Sequence, residues 1–314
     1  MLSASLKESQ SAAAVLMVRP ARFGFNPQTA ASNGFQTPGA AQADLQDRAL
    51  REFDLLADGL GRAGVHVIVA DDTPEPAKPD ALFPNNWVSF HVDGTVVLYP
   101  MLAPNRRAER REDVVRRVID AGAFRTSRTV DLSHREAEGK YLEGTGSLVL
   151  DRVQRIAYAN LSPRTDLDVL GEFAQQLDYE LVTFEAVDGA GRVVYHTNVM
   201  MALGGHFAVV CGPAITEQRH RDAVYSRLRA AGREIVEIST AQMHEFAGNL
   251  LELAPGGSNL IALSATAWRS LDPAQRRKLE KHGEIVAVDI PVIERFGGGG
   301  VRCMLAEIHL PPRR

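Results

Sequence analysis

Phe296-Gly-Gly-Gly-Gly-Val-Arg-Cys-Met-Leu-Ala-Glu-Ile308 is the segment that does most to predict the fold and the chemistry of this chain. Glycine loses more conformational entropy on folding than other residues, so four in succession suit a chain that bends tightly around a ligand. Cys303 follows them, next to Arg302, where main-chain N–H groups and a cation favour a thiolate. We therefore predict a nucleophilic Cys303. The alternative is an inert buried cysteine, which is our interpretation of Cys211 in the apolar run at residues 207–212.

Two other segments share the design of this loop. Residues 143–150 (EGTGSLVL) and 247–253 (AGNLLEL) place glycine or small residues before an apolar strand, as residues 299–305 (GGVRCML) do. Such positions suit close backbone approach or a positive φ at the start of a strand. The spacing of roughly 50 to 105 residues predicts a recurring module. Modules in a radial array would point several strand starts at one central site, whereas coincidence among glycine-rich turns is the alternative.

Hydrophobic periodicity predicts an α/β fold. Residues 15–19 are expected to form a buried strand, and residues 41–62 a long helix with apolar side chains at helical spacing. A second helix is predicted at residues 105–121, and a strand at the apolar run of residues 193–203.

The composition is that of an ordinary globular protein, with 314 residues of which 45% are hydrophobic and 24% charged. A net charge of −4 argues against nucleic acid or an anionic membrane as the main partner. Two cysteines, without zinc-site spacing, make a disulfide framework and a zinc site unexpected and suit a cytoplasmic location. Residues 1–13 are small and polar, so we predict a disordered tail there and a single catalytic domain over residues 14–314.

Of the nine histidines, His196 is the best candidate for the base that a nucleophilic thiol needs. It interrupts the apolar run at residues 193–203, where an unpaired imidazole would be costly. A structural histidine with satisfied hydrogen bonds is the alternative. Glu143 opens another apolar strand, where it either binds an imidazole or a substrate N–H group or caps the local turn.

Two further segments carry polar groups that suit a small substrate. Residues 79–87 (PDALFPNNW) hold Asn85 and Asn86 between apolar neighbours, although asparagine pairs are also common in turns. Arg164 has the planar fork of donors that binds a carboxylate, with a lone surface arginine as the alternative.

Taken together and in this order, the segments resemble the guanidine-modifying, pentein-fold superfamily. The resemblance is strongest to its citrulline-utilisation hydrolases, which are similar to arginine deiminases and other amidinotransferase-family proteins. It is carried over nearly the whole chain by Val18-Arg-Pro with Phe23-Gly-Phe-Asn-Pro, by residues 80–87, 142–146 and 162–165, by His196 and by the cysteine loop. It implies a five-module pentein β/α propeller with a pseudo-fivefold arrangement around a central active site. It also implies a small amino-acid substrate and no metal or organic cofactor.

The resemblance also implies roles for individual residues. Cys303 would be the nucleophile, His196 the general acid/base, and Glu143 the partner of the imidazole or of the substrate. Arg164 matches the arginine that holds the substrate α-carboxylate, and Asp80 matches a substrate-side acid of dimethylarginine hydrolases. The substrate-binding residues so predicted are Asn86, Asn198, Asp80, Arg164, Asn26, Asn85 and Arg302.

Departures from the arginine deiminases bear on the substrate. Where those enzymes have two aspartates, this chain has Asn86 and Asn198. A guanidinium offers only donors and a positive charge, and burying it without enough carboxylate is penalised. An asparagine offers a donor and an acceptor, which suits a neutral ureido group. We therefore expect hydrolysis of citrulline to ornithine, carbon dioxide and ammonia.

Several alternatives stay open. They are an arginine dihydrolase, an arginine deiminase, a dimethylarginine hydrolase, an amidinotransferase and a non-catalytic ligand-binding homologue. The residues do not decide whether the protein forms a homo-oligomer.

Overall fold

The structure, a computed structural model, describes residues 8–38 and 44–313. In these residues the chain forms fifteen strands and nine α-helices. The strands are β1 (Ala14–Arg19), β2 (His66–Asp71), β3 (Val88–Phe90), β4 (Thr95–Leu98), β5 (Arg128–Asp131), β6 (Leu148–Asp151), β7 (Ile156–Asn160), β8 (Glu180–Phe184), β9 (Met201–Leu203), β10 (Phe207–Val210), β11 (Glu234–Glu237), β12 (Leu251–Leu253), β13 (Leu260–Ser264), β14 (Glu284–Val288) and β15 (Ala306–Ile308). The helices are α1 (Pro27–Ala30), α2 (Leu45–Arg62), α3 (Glu112–Ala121), α4 (Gly144–Ser147), α5 (Leu167–Leu177), α6 (Gln218–Ala230), α7 (Thr240–His244), α8 (Ala265–Ser270) and α9 (Pro273–Glu280). The predicted α/β fold is confirmed.

All the sheets are built from one three-strand pattern. A first strand pairs antiparallel with a second, and the second pairs parallel with a third. Three sheets hold one copy each, in the orders β6-β7-β8, β9-β10-β11 and β12-β13-β14. The six-stranded sheet β2-β1-β15-β3-β4-β5 holds two copies, which meet where Ile308 pairs with Phe90. The predicted recurring module therefore has a counterpart in the strand pairing.

Helices join the second and third strands of each copy, because a parallel pair needs a crossover connection. Helix α2, for example, lies between β1 and β2 and buries Ala49, Phe53, Leu56 and Leu60, which recur at helical spacing. The predicted helix at residues 41–62 is thus observed from Leu45, and residues 41–43 lie outside the described part of the chain. None of the helices in the described residues is long and apolar enough to cross a membrane.

The first strands of the three-strand copies begin close together. Single helical turns precede four of them, namely Pro84–Asn86 before β3, α4 before β6, Thr197–Val199 before β9 and Val301–Met304 before β15. Helix α4 contacts the turns at Pro84–Asn86 and Thr197–Val199, and the turn at Pro84–Asn86 also contacts Val301–Met304. Gly144 allows the approach, because it has a φ of +44° and a Cβ there would lie 2.3 Å from the Asn85 carbonyl oxygen. The strand starts therefore present their side chains to one place.

Two predicted elements differ from the structure. The run at residues 193–203 is not one strand, since only Met201–Leu203 pairs in a sheet and a helical turn at Thr197–Val199 precedes it. His196 therefore lies before the turn in extended backbone rather than inside a strand. The helix predicted at residues 105–121 is split into a 3-10 helix, Pro104–Glu109, and α3. Arg106 and Glu109, both in the first of these, are buried.

The segment before β1 lies against the sheets. Residues 1–7 of the predicted tail lie outside the described residues. Of the remainder, Ala12 forms a parallel bridge with Leu253, and the Glu8 carboxylate accepts from Arg152 over 2.9 Å. Arg152 is buried, so this ion pair ties residues 8–13 to the folded chain.

Candidate active site

A small cavity lies where the strand starts meet. The residues that line it include Cys303, His196, Asn86, Asp80, Arg106 and Arg164. Three of these, Cys303, His196 and Asn86, come from turns before first strands, or from the residue next to one, on three different three-strand copies. The structure therefore brings together the predicted nucleophile, the predicted base and three of the predicted substrate-binding residues.

Cys303 sits in the helical turn that follows the four glycines, and its side chain is buried. The loop before it needs glycine, since Gly298 has a φ of +65° and a Cβ on Gly299 would lie 2.9 Å from the Phe83 ring. The Cys303 sulfur lies 3.3 Å from the amide nitrogen of Asn249 and 3.6 Å from that of Asn198. Two neutral N–H donors thus contact the sulfur.

The two cysteines differ in their surroundings. Burial raises the pKa of the Cys303 thiol, while hydrogen bonds from Asn249 and Asn198 and the charge of Arg302 act to lower it. Cys211 lies in an apolar core cluster, and burial raises the pKa of its thiol to about 11. The packing agrees with our interpretation of Cys211 as a core residue.

His196 is paired with Glu143, since its Nε2 lies 2.8 Å from a Glu143 carboxylate oxygen. Burial lowers the pKa of His196 to about 4, although Glu143 acts to raise it. Burial alone would raise the pKa of Glu143, but Arg164, His196 and Arg106 hold it well below its usual range. At neutral pH we therefore expect a neutral imidazole, with Nε2–H donating to an ionised Glu143. The Nδ1 atom is then left as an acceptor.

Asp80 has one carboxylate oxygen bound and one free of protein donors. Its Oδ2 accepts from the Asn26 amide over 2.7 Å and from the Thr29 hydroxyl over 3.1 Å. Its Oδ1 is buried and has no donor among the residues that the structure describes. Burial raises the pKa of Asp80, and Arg106 acts in the opposite direction. A buried carboxylate oxygen without a donor is costly, so it is a place for a ligand N–H group.

Two buried arginines face the cavity. Arg164 donates to Glu143 over 3.2 Å and to the Thr29 carbonyl oxygen over 3.0 Å. Arg106 binds both carboxylate oxygens of Glu109 over 2.9 Å and donates to the Asn86 side-chain oxygen over 2.8 Å. This second arginine was not among the residues predicted from the sequence.

The remaining predicted residues lie around the cavity rather than in its lining. The Asn26 amide donates to Asp80, and the Asn85 side-chain oxygen accepts from the Asn86 amide over 3.0 Å. The Arg302 guanidinium donates to Glu307 and to the Leu305 carbonyl oxygen, both over 2.8 Å. Arg302 lines a different cavity, and its charge acts to lower the pKa of the Cys303 thiol.

Arg106, Glu109 and Asn249 are functional candidates that the sequence interpretation missed. Arg106 and Glu109 were hidden inside a predicted helix, where their spacing of three residues is typical of a surface ion pair. Asn249 lies in the segment at residues 247–253 that repeats the design of the cysteine loop, and this was the available signal. In the described residues, no group of three or more His, Cys, Asp or Glu side chains is placed to hold a metal ion.

Several solved structures share this fold. Apo ArgZ, an arginine dihydrolase from the ornithine–ammonia cycle in cyanobacteria, superposes with a TM-score of 0.73 at 19% identity, over 95% of this chain and 41% of that chain. The present chain therefore spans about two fifths of full-length ArgZ. The N-terminal domain of ArgZ bound to substrate superposes with a TM-score of 0.72 at 18% identity, over 96% of this chain and 99% of that one. A dimethylarginine dimethylaminohydrolase adduct with S-methyl-L-thiocitrulline superposes with a TM-score of 0.63 at 15% identity, over 94% of this chain and 99% of that one.

The sequence comparison covers nearly the same range. No curated protein sequence matches the chain. Residues 19–310, however, match the family described as N,N dimethylarginine dimethylhydrolase, eukaryotic. The chain therefore belongs to this family, and with it to the guanidine-modifying, pentein-fold superfamily.

Proposed function

We propose that this protein is a cysteine-dependent hydrolase that converts arginine to ornithine, carbon dioxide and ammonia, as an arginine dihydrolase does. The observation that carries the proposal is the buried Asp80 Oδ1, which lacks a donor among the described residues and belongs to the cavity that contains Cys303. A guanidinium supplies both N–H donors and the positive charge that a buried carboxylate needs. The fold shared with ArgZ, itself an arginine dihydrolase, supports the same choice.

The cavity also offers cations for the other end of such a substrate. Arg106 and Arg164 are both buried and both line it. A guanidinium fork binds a carboxylate with two parallel hydrogen bonds. We therefore assign the substrate α-carboxylate to Arg164, whose Nε and Nη2 atoms donate to the Ser32 hydroxyl that the carboxylate would displace. Arg106 is the neighbouring cation.

In the first half of the proposed reaction, neutral His196 takes the thiol proton as the Cys303 sulfur attacks the guanidinium carbon. The imidazolium is stabilised by Glu143, 2.8 Å away. It then protonates a terminal amino group, which leaves as ammonia and keeps the electron pair of the broken C–N bond. Water displaces the sulfur from the resulting thiouronium, leaving a ureido group on the substrate and the thiol on the enzyme.

In the second half, the Cys303 sulfur attacks the ureido carbon. His196 protonates the δ-nitrogen, so that ornithine leaves and an S-carbamoyl group remains on the cysteine. Water hydrolyses this thioester-like bond to free thiol and carbamate, which decays to carbon dioxide and ammonia. Arginine and two waters thus give ornithine, carbon dioxide and two ammonia molecules.

Citrulline hydrolysis, which is this second half alone, is the second candidate. It is favoured by the orientation of the Asn86 amide. The Asn86 side-chain oxygen accepts from Arg106 over 2.8 Å, and one of its N–H groups donates to Asn85. Only an N–H donor of Asn86 is then left for a ligand, and it matches the carbonyl oxygen of a ureido group rather than a donor-only guanidinium.

Product analysis separates the candidates. Purified protein is incubated separately with arginine, citrulline and dimethylarginine, with Cys303→Ser as the inactive control. We expect ornithine from arginine, with two ammonia molecules for each ornithine. Ornithine from citrulline but not from arginine would select the second candidate. Citrulline that accumulates from arginine or from dimethylarginine would contradict both.

We also propose that the five three-strand copies form a five-module propeller around the cavity, within one catalytic domain over residues 14–314. The recurrence of the strand pattern and the contacts between the turns before first strands support this arrangement. A small amino acid is the proposed partner, and the cytoplasmic location stays a prediction.

A further inference from the structure

Asn249 has a buried side chain and lies two residues before β12, the first strand of its three-strand copy. Its segment is held close to the neighbouring copy, since a Cβ on Gly248 would lie 2.7 Å from the Val199 carbonyl oxygen. It is also held close to the cysteine loop, since a Cβ on Gly300 would lie 2.7 Å from the Asn249 side-chain oxygen. The position of the amide is therefore set by backbone contacts on two sides.

A hydrogen bond to a main-chain carbonyl oxygen fixes which way the Asn249 amide faces. The Asn249 Nδ2 atom donates to the Asn198 carbonyl oxygen over 2.9 Å. A flipped amide would place two acceptor oxygens against each other, so the amino group must face this carbonyl. The same nitrogen lies 3.3 Å from the Cys303 sulfur, while the side-chain oxygen is at 3.7 Å. The second N–H of the amino group is therefore available to the sulfur.

We infer that Asn249 is a catalytic residue, which stabilises the Cys303 thiolate by donating an N–H group to the sulfur. His196 Nε2 is bound to Glu143, so the imidazole N–H that would otherwise pair with a thiolate is already engaged. The amides of Asn249 and, at 3.6 Å, Asn198 are the side-chain donors that contact the sulfur among the described residues. The role in turnover rests on the proposed function, whereas the contact with the thiolate does not.

The pH dependence of alkylation tests the inference. Iodoacetamide reacts with the thiolate, and peptide mass spectrometry counts modification of Cys303 separately from that of Cys211. A hydrogen bond to a charged group is worth about 1 to 2 pKa units, so Asn249→Ala should move the midpoint for Cys303 up by about that amount. Asn249→Asp should move the midpoint further up. A carboxylate has the same shape as the amide, but it has no N–H group to donate to the sulfur and its negative charge repels the thiolate.

Controls separate donation from packing. Asn259→Ala changes a half-buried asparagine next to β13, in the same sheet as β12, whose amide donates to Glu252. This variant should leave the pH dependence of Cys303 alkylation unchanged. If Asn249→Ala does not fold, the nearly isosteric Asp variant carries the test. A folded Asn249 variant that loses thermal stability but keeps the wild-type profile would overturn the inference.

The same measurement distinguishes this inference from the proposed function. Alkylation reports the state of the sulfur without any substrate. Wild-type protein that turns over neither arginine nor citrulline would remove the proposed function, yet an upward shift in Asn249→Ala would still support thiolate stabilisation. If the wild-type protein turns over substrate but the alkylation midpoint of Asn249→Ala is unshifted, the proposed function stands and thiolate stabilisation by Asn249 is overturned.

Discussion

The Glu143→Gln substitution tests the link between the His196–Glu143 pair and the chemistry. The imidazolium that forms during attack would lose a charged partner 2.8 Å away. A charge-assisted hydrogen bond contributes about 1.5 to 3 kcal/mol. Removing it from the transition state should therefore lower kcat by about 10- to 150-fold. Glutamine keeps the size of the side chain and an acceptor oxygen, so the change is mainly one of charge.

The assay is steady-state release of ornithine from arginine and citrulline, with thermal unfolding measured in parallel. Asp151→Asn is the matched control, since this buried carboxylate pairs with Arg233 away from the cavity. Breaking a buried ion pair costs about 3 to 5 kcal/mol of stability in either variant. Only Glu143→Gln should lower kcat in protein that remains folded. Equal losses of kcat in the two variants, or none in Glu143→Gln, would refute the assigned pairing.

Three other predictions follow from the cavity. Asn86→Asp should raise the ratio of kcat/KM for arginine over citrulline by about tenfold or more, because it adds a carboxylate for a guanidinium; an unchanged ratio would contradict the role of Asn86. Arg164→Lys should raise KM by about tenfold with a smaller effect on kcat, because the planar fork is lost; the opposite split would contradict carboxylate binding. The folded-state pKa of His196 is about 4, below the unfolded value, so its contribution to stability is present above about pH 6.5 and is lost as pH falls toward 4. The free energy of unfolding, measured with urea, should fall by about 2 kcal/mol from pH 7 to pH 5 through this group. That part of the fall should be missing in His196→Asn.

Much of the candidate site could be predicted from the sequence because the residues stand in short ordered motifs. Cys303 follows four glycines, and Glu143 opens a glycine-containing segment. His196, the predicted base, lines the same cavity as Cys303, although the strand predicted around it was wrong. The helical turn at Thr197–Val199 is hidden by an apolar run that continues on both sides of it. Apolar patterns show burial and do not separate a buried strand from a buried turn.

Arg106 shows a different limit. Its i,i+3 partner Glu109 and the polar residues after them are typical of an exposed helix. In the structure both side chains are buried, because Arg106 reaches Asn86 across 20 positions of the chain. A pattern along the chain contains no information about such a partner.

The sequence by itself determined the α/β class, the recurrence of glycine-containing strand starts and the residue types proposed for the chemistry. These follow from local conformational freedom and from the hydrophobic period, which are properties of neighbouring residues. Only the tertiary structure decided which atoms face the cavity. The Asn249 amide meets a sulfur 54 positions away, and Arg302, next to that sulfur in sequence, points to Glu307 instead. Which partner a side chain bonds depends on the distances between segments that are far apart in the sequence. Those distances are set only when the whole chain has folded, and they decide which hydrogen-bond donors remain for a substrate.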